Sequence, residues 1–230
     1  MTATSNKVLF VVTSHDRKGN KPSGFFLSEV THPYRVLADA DYKIDFVSPK
    51  GGKAPVDPDS LDMDDGANAE FWNNPELRGA VENTKRPTDV HAEDYAGIFF
   101  AGGHAAMWDL PDDAAITSLT ERIYANGGIV GAVCHGPAAL VNVKRPDGEY
   151  LVKDLYVSAF TDEEERAVGL ERVIPFSLSE RLVERGAHHD AGPSWQIKVC
   201  VSGRLVTGQN PASATRVGDA LLTMLQNHSH

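Results

Sequence analysis

The sequence has no basic cluster, no long apolar run, no phosphate-cradling glycine motif and almost no cysteine. Each lack removes a class of function. Lysine and arginine total 22 against 32 acids, a formal net charge of −10, so neither a nucleic-acid nor an anionic-membrane partner is expected. No segment approaches the roughly 18 apolar residues of a membrane span. The start, MTATSNKVLFVV, has no signal-peptide core before the first expected strand. Two cysteines, Cys134 and Cys200, make no disulfide framework and fit a reducing cytoplasm, where a thiol stays free. No G-x-G-x-x-G follows a strand and no Walker sequence is present, which disfavours nicotinamide, flavin and nucleotide chemistry.

What is there is a regular alternation. Short apolar runs occur at KVLFVVTS (7–14), YKIDFVSP (42–49), AGIFFAGG (96–103) and GGIVGAVC (127–134), with a weaker one at LYVSAF (155–160). Between them, residues 25–40, 112–126 and 136–143 repeat with the 3.6 period of a helix. Strands apolar throughout, alternating with helices, predict an α/β fold. Its sheet would be doubly wound, mostly parallel and sandwiched by helices, within a single domain spanning 1–230. Residues 195–208 read as a C-terminal β-hairpin turning at Ser202-Gly203, and 210–226 as a final helix with Asn210 as cap and Pro211 in its first turn. The acidic loop 57–70 resembles a calcium loop, but placing Gly66 at the sixth position puts Leu61 first and Trp72 twelfth, so the pattern fails.

The stretch AVCHG places Cys134 between a strand and an expected helix, with Ala132 and Gly136 two residues to either side. That is the pattern of a nucleophile elbow, a sharp turn tolerated only with small flanking residues. A helix N-terminus behind Cys134 is expected to favour the thiolate and lower its pKa. The backbone N–H of His135 is placed to help form an oxyanion hole; its side chain, on the adjacent residue, need not touch the sulfur. Gly102 and Gly103 after the third strand offer either a second donor or a plain turn. Cys200, alternating with Val199 and Val201, reads as a buried hairpin residue.

Glu29 lies among Phe26, Val30, Pro33 and Leu37 on one helical face. A carboxyl in that stripe either loses solvent and rises in pKa, fit for proton transfer, or reaches water at the stripe's edge. Pro33 removes an N–H and is expected to kink the helix. TDEEER (161–166) reads as a helix start capped by Thr161. His188-His189-Asp190 holds metal-ligating residue types, but adjacent side chains point apart, and no metal site is expected there.

Taken together, AGGHAAMWDLP, AVCHGPAAL, SAFTDEEE, TGQNPAS, GFFLSEVTHPY and VSPKGGKAPVDPDS resemble the DJ-1/PfpI superfamily, the class I glutamine-amidotransferase-like proteins, in its chaperone-like glyoxalase III branch. The resemblance runs from Lys7 to about Leu225. It implies a flavodoxin-like fold, Cys134 as nucleophile, His135 as its histidine, Glu29 as the proton-handling carboxyl and Glu165, or its neighbour Glu164, as the acid completing a triad. It implies Gly103 as the second oxyanion donor. Ala105 stands where the family often has glycine, an extra methyl expected at the pocket mouth, and Ser158-Ala159-Phe160 replaces a more usual T-G-F.

The implied activity is glutathione-independent conversion of methylglyoxal to lactate, an enzyme acting on small dicarbonyls such as methylglyoxal and glyoxal. It would need no metal and no cofactor, and it would work as a cytoplasmic homodimer. Deglycation or peptidase/amidase action would use the same thiol. A stress chaperone or a redox sensor, with Cys134 oxidised, is the alternative of another class.

Overall fold

The computed structural model describes residues 5–228. Six strands form the main sheet: β1 (Lys7–Val11), β2 (Lys43–Val47), β3 (Gly97–Phe100), β4 (Ile129–Val133), β5 (Val199–Ser202) and β6 (Leu205–Gly208). Their order is β2-β1-β3-β4-β6-β5. Five are parallel, and β5 joins β6 antiparallel as a hairpin edge. β1, β3 and β4 are buried almost throughout because helices cover both faces. Helices α1 (Leu27–Ala38) and α4 (Ala214–His228) pack on one face, and α2 (Ala114–Ala125) lies on the other. Val30, Leu37, Val217 and Leu221 close the first layer, while Ile116, Leu119 and Ile123 close the second. This is the doubly wound arrangement, whose ligand crevice lies at the carboxyl ends of the strands. Among the described residues no helix is long and apolar enough to cross a membrane.

Several elements differ from expectation. Residues 155–160 contribute only Tyr156–Val157, paired with His188–His189 outside the main sheet. The place beside β4 is taken by Leu205–Gly208, which is buried on both faces, whereas Tyr156 exposes its ring. The segment after Cys134 is a 3-10 helix, Gly136–Leu140, and not an α-helix. Pro137 sits in its first turn, and the β-branched Val141 and Val143 around Asn142 do not prolong it. Asn210 caps nothing with its side chain; α4 begins at Ala214, after a 3-10 turn at Pro211–Ser213. The hairpin strand begins only at Val199, opposite Gly208 at the end of β6; Trp195, with a left-handed backbone (φ 63°), lies in the preceding turn. Its turn is Gly203-Arg204, with Gly203 at φ 59°. α1 runs through Pro33 to Ala38.

The acidic loop is built from caps. Asp57 caps the 3-10 turn Pro58–Ser60 and Asp65 caps the helix Gly66–Asn73. Thr161 caps α3 (Asp162–Val168) in a full capping box with Glu164.

Candidate active site

Cys134 follows β4 directly and has φ 60°, a left-handed conformation rare for a residue with a side chain. Its N–H donates to Gly208 O on β6, and its carbonyl accepts from Phe160 N–H, so the turn is pinned on both sides. Glycine is required at 136, where a Cβ would collide with Phe100 O. The strained turn lifts the sulfur to the carboxyl end of the sheet, at the floor of a cavity of about 230 Å3. His135 and Gly103 also line that cavity.

The His135 side chain turns back to the sulfur, with Nδ1 3.3 Å from Cys134 Sγ. Its Nε2 lies 2.5 Å from Glu165 Oε1. The neighbouring acid, Glu164, faces elsewhere: its Oε1 accepts from Trp195 N–H and from the Gln209 and Asn210 amides. Glu165 is therefore the acid in line with His135 and Cys134.

Glu29 is fully buried and does not reach water at the stripe's edge. Gly102 N–H donates to its Oε2 at 2.7 Å. Its Oε1 makes no conventional hydrogen bond, and the group beside that carboxyl is the Cys134 thiol. Burial pushes the Glu29 carboxyl up to about 8, outweighing the hydrogen bonds from Cys134 and Gly102. The same burial, and then the Glu29 carboxyl, push the Cys134 thiol well above its usual range. The expected lowering of the thiol pKa fails because desolvation dominates and only a five-residue 3-10 turn stands behind the sulfur. Burial thus favours the uncharged form of both groups, the thiol and the carboxyl.

Burial first, then the neighbouring His104, bring His135 down to about 4, so it rests neutral. Burial opposes ionisation of Glu165, yet hydrogen bonds from His104 and His135 hold it down at about 2. His104 is the residue that sequence reasoning passed over. Its Nε2 lies 3.0 Å from Glu165 Oε2, and its ring lies 4.1 Å from that of His135. The only signal was its place after Gly102-Gly103 in the loop at the end of β3.

Gly103 has φ 99°, and a Cβ there would collide with Gly24 O and Phe26 N, so the position is confined to glycine. Its N–H points at the Cys134 sulfur. Among the described residues no backbone acceptor takes the N–H of Gly103 or of His135. Ala105 is buried and outside the cavity lining, so its methyl does not narrow the mouth.

The ligand atoms of His104, His135 and Glu165 lie within 4.8 Å of one another, a donor set of the type that takes transition ions. Here each carboxylate oxygen is already paired with an imidazole. His188-His189-Asp190 forms no such cluster: His188 packs on Tyr156 and Asp190 pairs with Lys198 at 2.7 Å. Cys200 is buried in β5, its thiol raised to about 11 by burial and by Asp190.

The model of the DJ-1/PfpI family matches residues 22–152, more than half of the chain, including Glu29, Gly103, Cys134 and His135. The chain belongs to the DJ-1/PfpI family. Within it, the chain is 33% identical over 223 residues to a glutathione-independent glyoxalase of Schizosaccharomyces pombe, covering 89% of this chain and 90% of that one. Crystallographic glyoxalase III of Candida albicans superposes with TM-score 0.89 at 29% identity, covering 95% and 96% of the two chains. The Rapid Encystment Protein 24 KDa of Francisella tularensis superposes with TM-score 0.91 at 43% identity, covering 95% and 98%. The flavodoxin-like α/β arrangement of this DJ-1/PfpI chain is thus shared across nearly its full length.

Proposed function

We propose that this DJ-1/PfpI protein is a glutathione-independent glyoxalase that converts methylglyoxal and related small dicarbonyls to 2-hydroxy acids. The observation that carries the reading is one thiol with two proton carriers beside it: His135 Nδ1 at 3.3 Å and the fully buried Glu29 carboxyl. The relatives' names point to the same reaction.

The Cys134 sulfur adds to the aldehyde carbon as its proton passes to His135, general-base activation of a thiol that burial keeps protonated. Charge developing on the aldehyde oxygen is met by the N–H groups of Gly103 and His135, and the oxygen takes up the proton to give a hemithioacetal. Neutral His135 then removes the C1 proton while Glu29 protonates the C2 oxygen, giving an enediol. His135 returns its proton to C2 and Glu29 recovers one from the C1 oxygen, leaving a thioester. Water hydrolyses the thioester to lactate and frees the thiol, so one water is consumed per methylglyoxal. Glu165, held ionised between two imidazoles, stabilises His135 each time it is protonated. No step calls on a metal or an organic cofactor.

On the family resemblance we place the protein in the reducing cytoplasm as a homodimer. The test is substitution. Cys134→Ala and Glu29→Ala should each abolish lactate formation while circular dichroism remains that of the wild type. Near-wild-type turnover in either variant refutes the assignment.

A further inference from the structure

The cavity has one wall that a three-carbon substrate does not account for. Methylglyoxal has five non-hydrogen atoms; even at the liquid share of a water, about 30 Å3 each, they take about 150 Å3, less than the cavity of about 230 Å3. Part of its lining is charged, with Lys18 paired to Asp57 and Asp59, and the wall on the side of Phe160 is apolar, made with Val168, Leu170 and Trp195. Phe160 lies 4.5 Å from the His135 ring, and Trp195 stands edge-on to Phe160 at 5.6 Å, so the aromatic wall starts at the reacting centre and runs to the mouth.

Trp195 is held there with effort. Its φ of 63° is a strained conformation for a bulky residue, of the kind that persists only where its surroundings impose it. The surroundings are three fully buried polar residues. Glu164 accepts the Trp195 N–H at 2.8 Å. Gln209 accepts from Gly192 N–H and donates to the carbonyls of Gly192 and Pro193. Asn210 donates to Gln196 O and to Glu164. This network ties down residues 192–196, and the side chain that the segment presents to the cavity is Trp195. The backbone under Trp195 is thereby fixed, and its half-exposed ring stands edge-on to Phe160 at the rim of the cavity.

We propose that Trp195, mounted on Glu164, is a specificity-determining residue. With Phe160 it forms a subsite for 2-oxoaldehydes whose group beyond the ketone is apolar and larger than methyl, branched or aromatic. The inference rests on the glyoxalase reading of Cys134 and names the substrate class within it. The larger group packs on the aromatic wall while the aldehyde carbon stays at the sulfur. The chemistry is unchanged, and phenylglyoxal would take up one water to give mandelate.

The experiment compares kcat/KM for phenylglyoxal and methylglyoxal, without glutathione, in wild type, Trp195→Gly and Trp195→Phe. Glycine accepts the left-handed backbone without strain and removes only the ring. Wild type should prefer phenylglyoxal by at least about tenfold, within the range one apolar contact surface supplies. Trp195→Gly should bring the ratio close to one, and Trp195→Phe should fall between. A wild-type ratio at or below one, or the same ratio in Trp195→Gly, overturns the proposal. Absence of lactate from methylglyoxal in the wild type would instead overturn the glyoxalase reading.

Discussion

Glu29 makes folding stability depend on pH in a direction opposite to that of a salt-bridged acid. Its carboxyl is fully buried and raised from 4.5 to about 8. Between those values the native state holds a proton that the unfolded chain has lost. Stability is therefore complete below about pH 4.5, falls as pH rises, and levels off above about pH 8. At about 1.4 kcal/mol for each tenfold change in proton affinity, the full loss is about 5 kcal/mol. Glu29→Gln has nearly the same shape and no charge to bury. Its amide oxygen can still accept from Gly102 N–H, and its NH2 can face the sulfur. Urea denaturation of both proteins from pH 4.5 to 9 measures the difference. Wild type and Glu29→Gln should be closely matched at the acid end, and the variant should be more stable by several kcal/mol at pH 9. A difference that does not change with pH would refute the reasoning, because it would mean that Glu29 ionises as readily in the folded protein as in the unfolded chain.

The reaction needs His135 unprotonated and Glu29 protonated, so kcat/KM should be bell-shaped with limbs near about 4 and about 8; an acid limb between pH 6 and 7 contradicts the depressed His135. His104→Ala leaves Glu165 Oε2 without its partner and should lower kcat about 10–100-fold, as loss of an orienting partner does at other sites. His104→Gln, which keeps an N–H donor, should retain more activity; two variants at the wild-type rate would remove His104 from the account. At Gly102 a Cβ would lie 2.5 Å from Glu29 Oε2 and 2.7 Å from both His135 N and Val133 O. Gly102→Ala should therefore cost about 1–3 kcal/mol, seen as a lower Tm, together with most of the activity; an unchanged Tm contradicts this packing.

Much of the fold was legible because its information is local. Apolar runs such as IFF and IVGAV at 98–100 and 129–133 are strands buried on both faces, and their alternation with helical segments points to a parallel sheet under two helical layers. Segments were misread where a neighbour decides the outcome. Tyr156–Val157 is a strand, but β6 holds the position it would need in the main sheet. Asn210 has the right residue type for a cap, but it bonds Glu164 and Gln196 across the fold. At the site, the elbow around Cys134 is visible as spacing, since small residues at 132 and 136 are a steric requirement. The thiol's pKa was not legible, because burial sets it and burial depends on the packed whole. The division of labour between Glu164 and Glu165 was open in the sequence for a like reason. Adjacent helical positions point about 100° apart, and only the placement of His135 and Trp195 shows which way each acid faces. His104 was missed because its partner Glu165 is 61 residues away.

The central claim is that the Cys134 thiol itself does the work that glutathione does in thiol-dependent routes. The measurement that meets it most directly is lactate formed from methylglyoxal by purified protein in glutathione-free buffer, wild type beside Cys134→Ser. The account predicts steady lactate production by the wild type, no increase on adding glutathione, and none from the variant. No lactate from wild type, or equal lactate from both proteins, would contradict it.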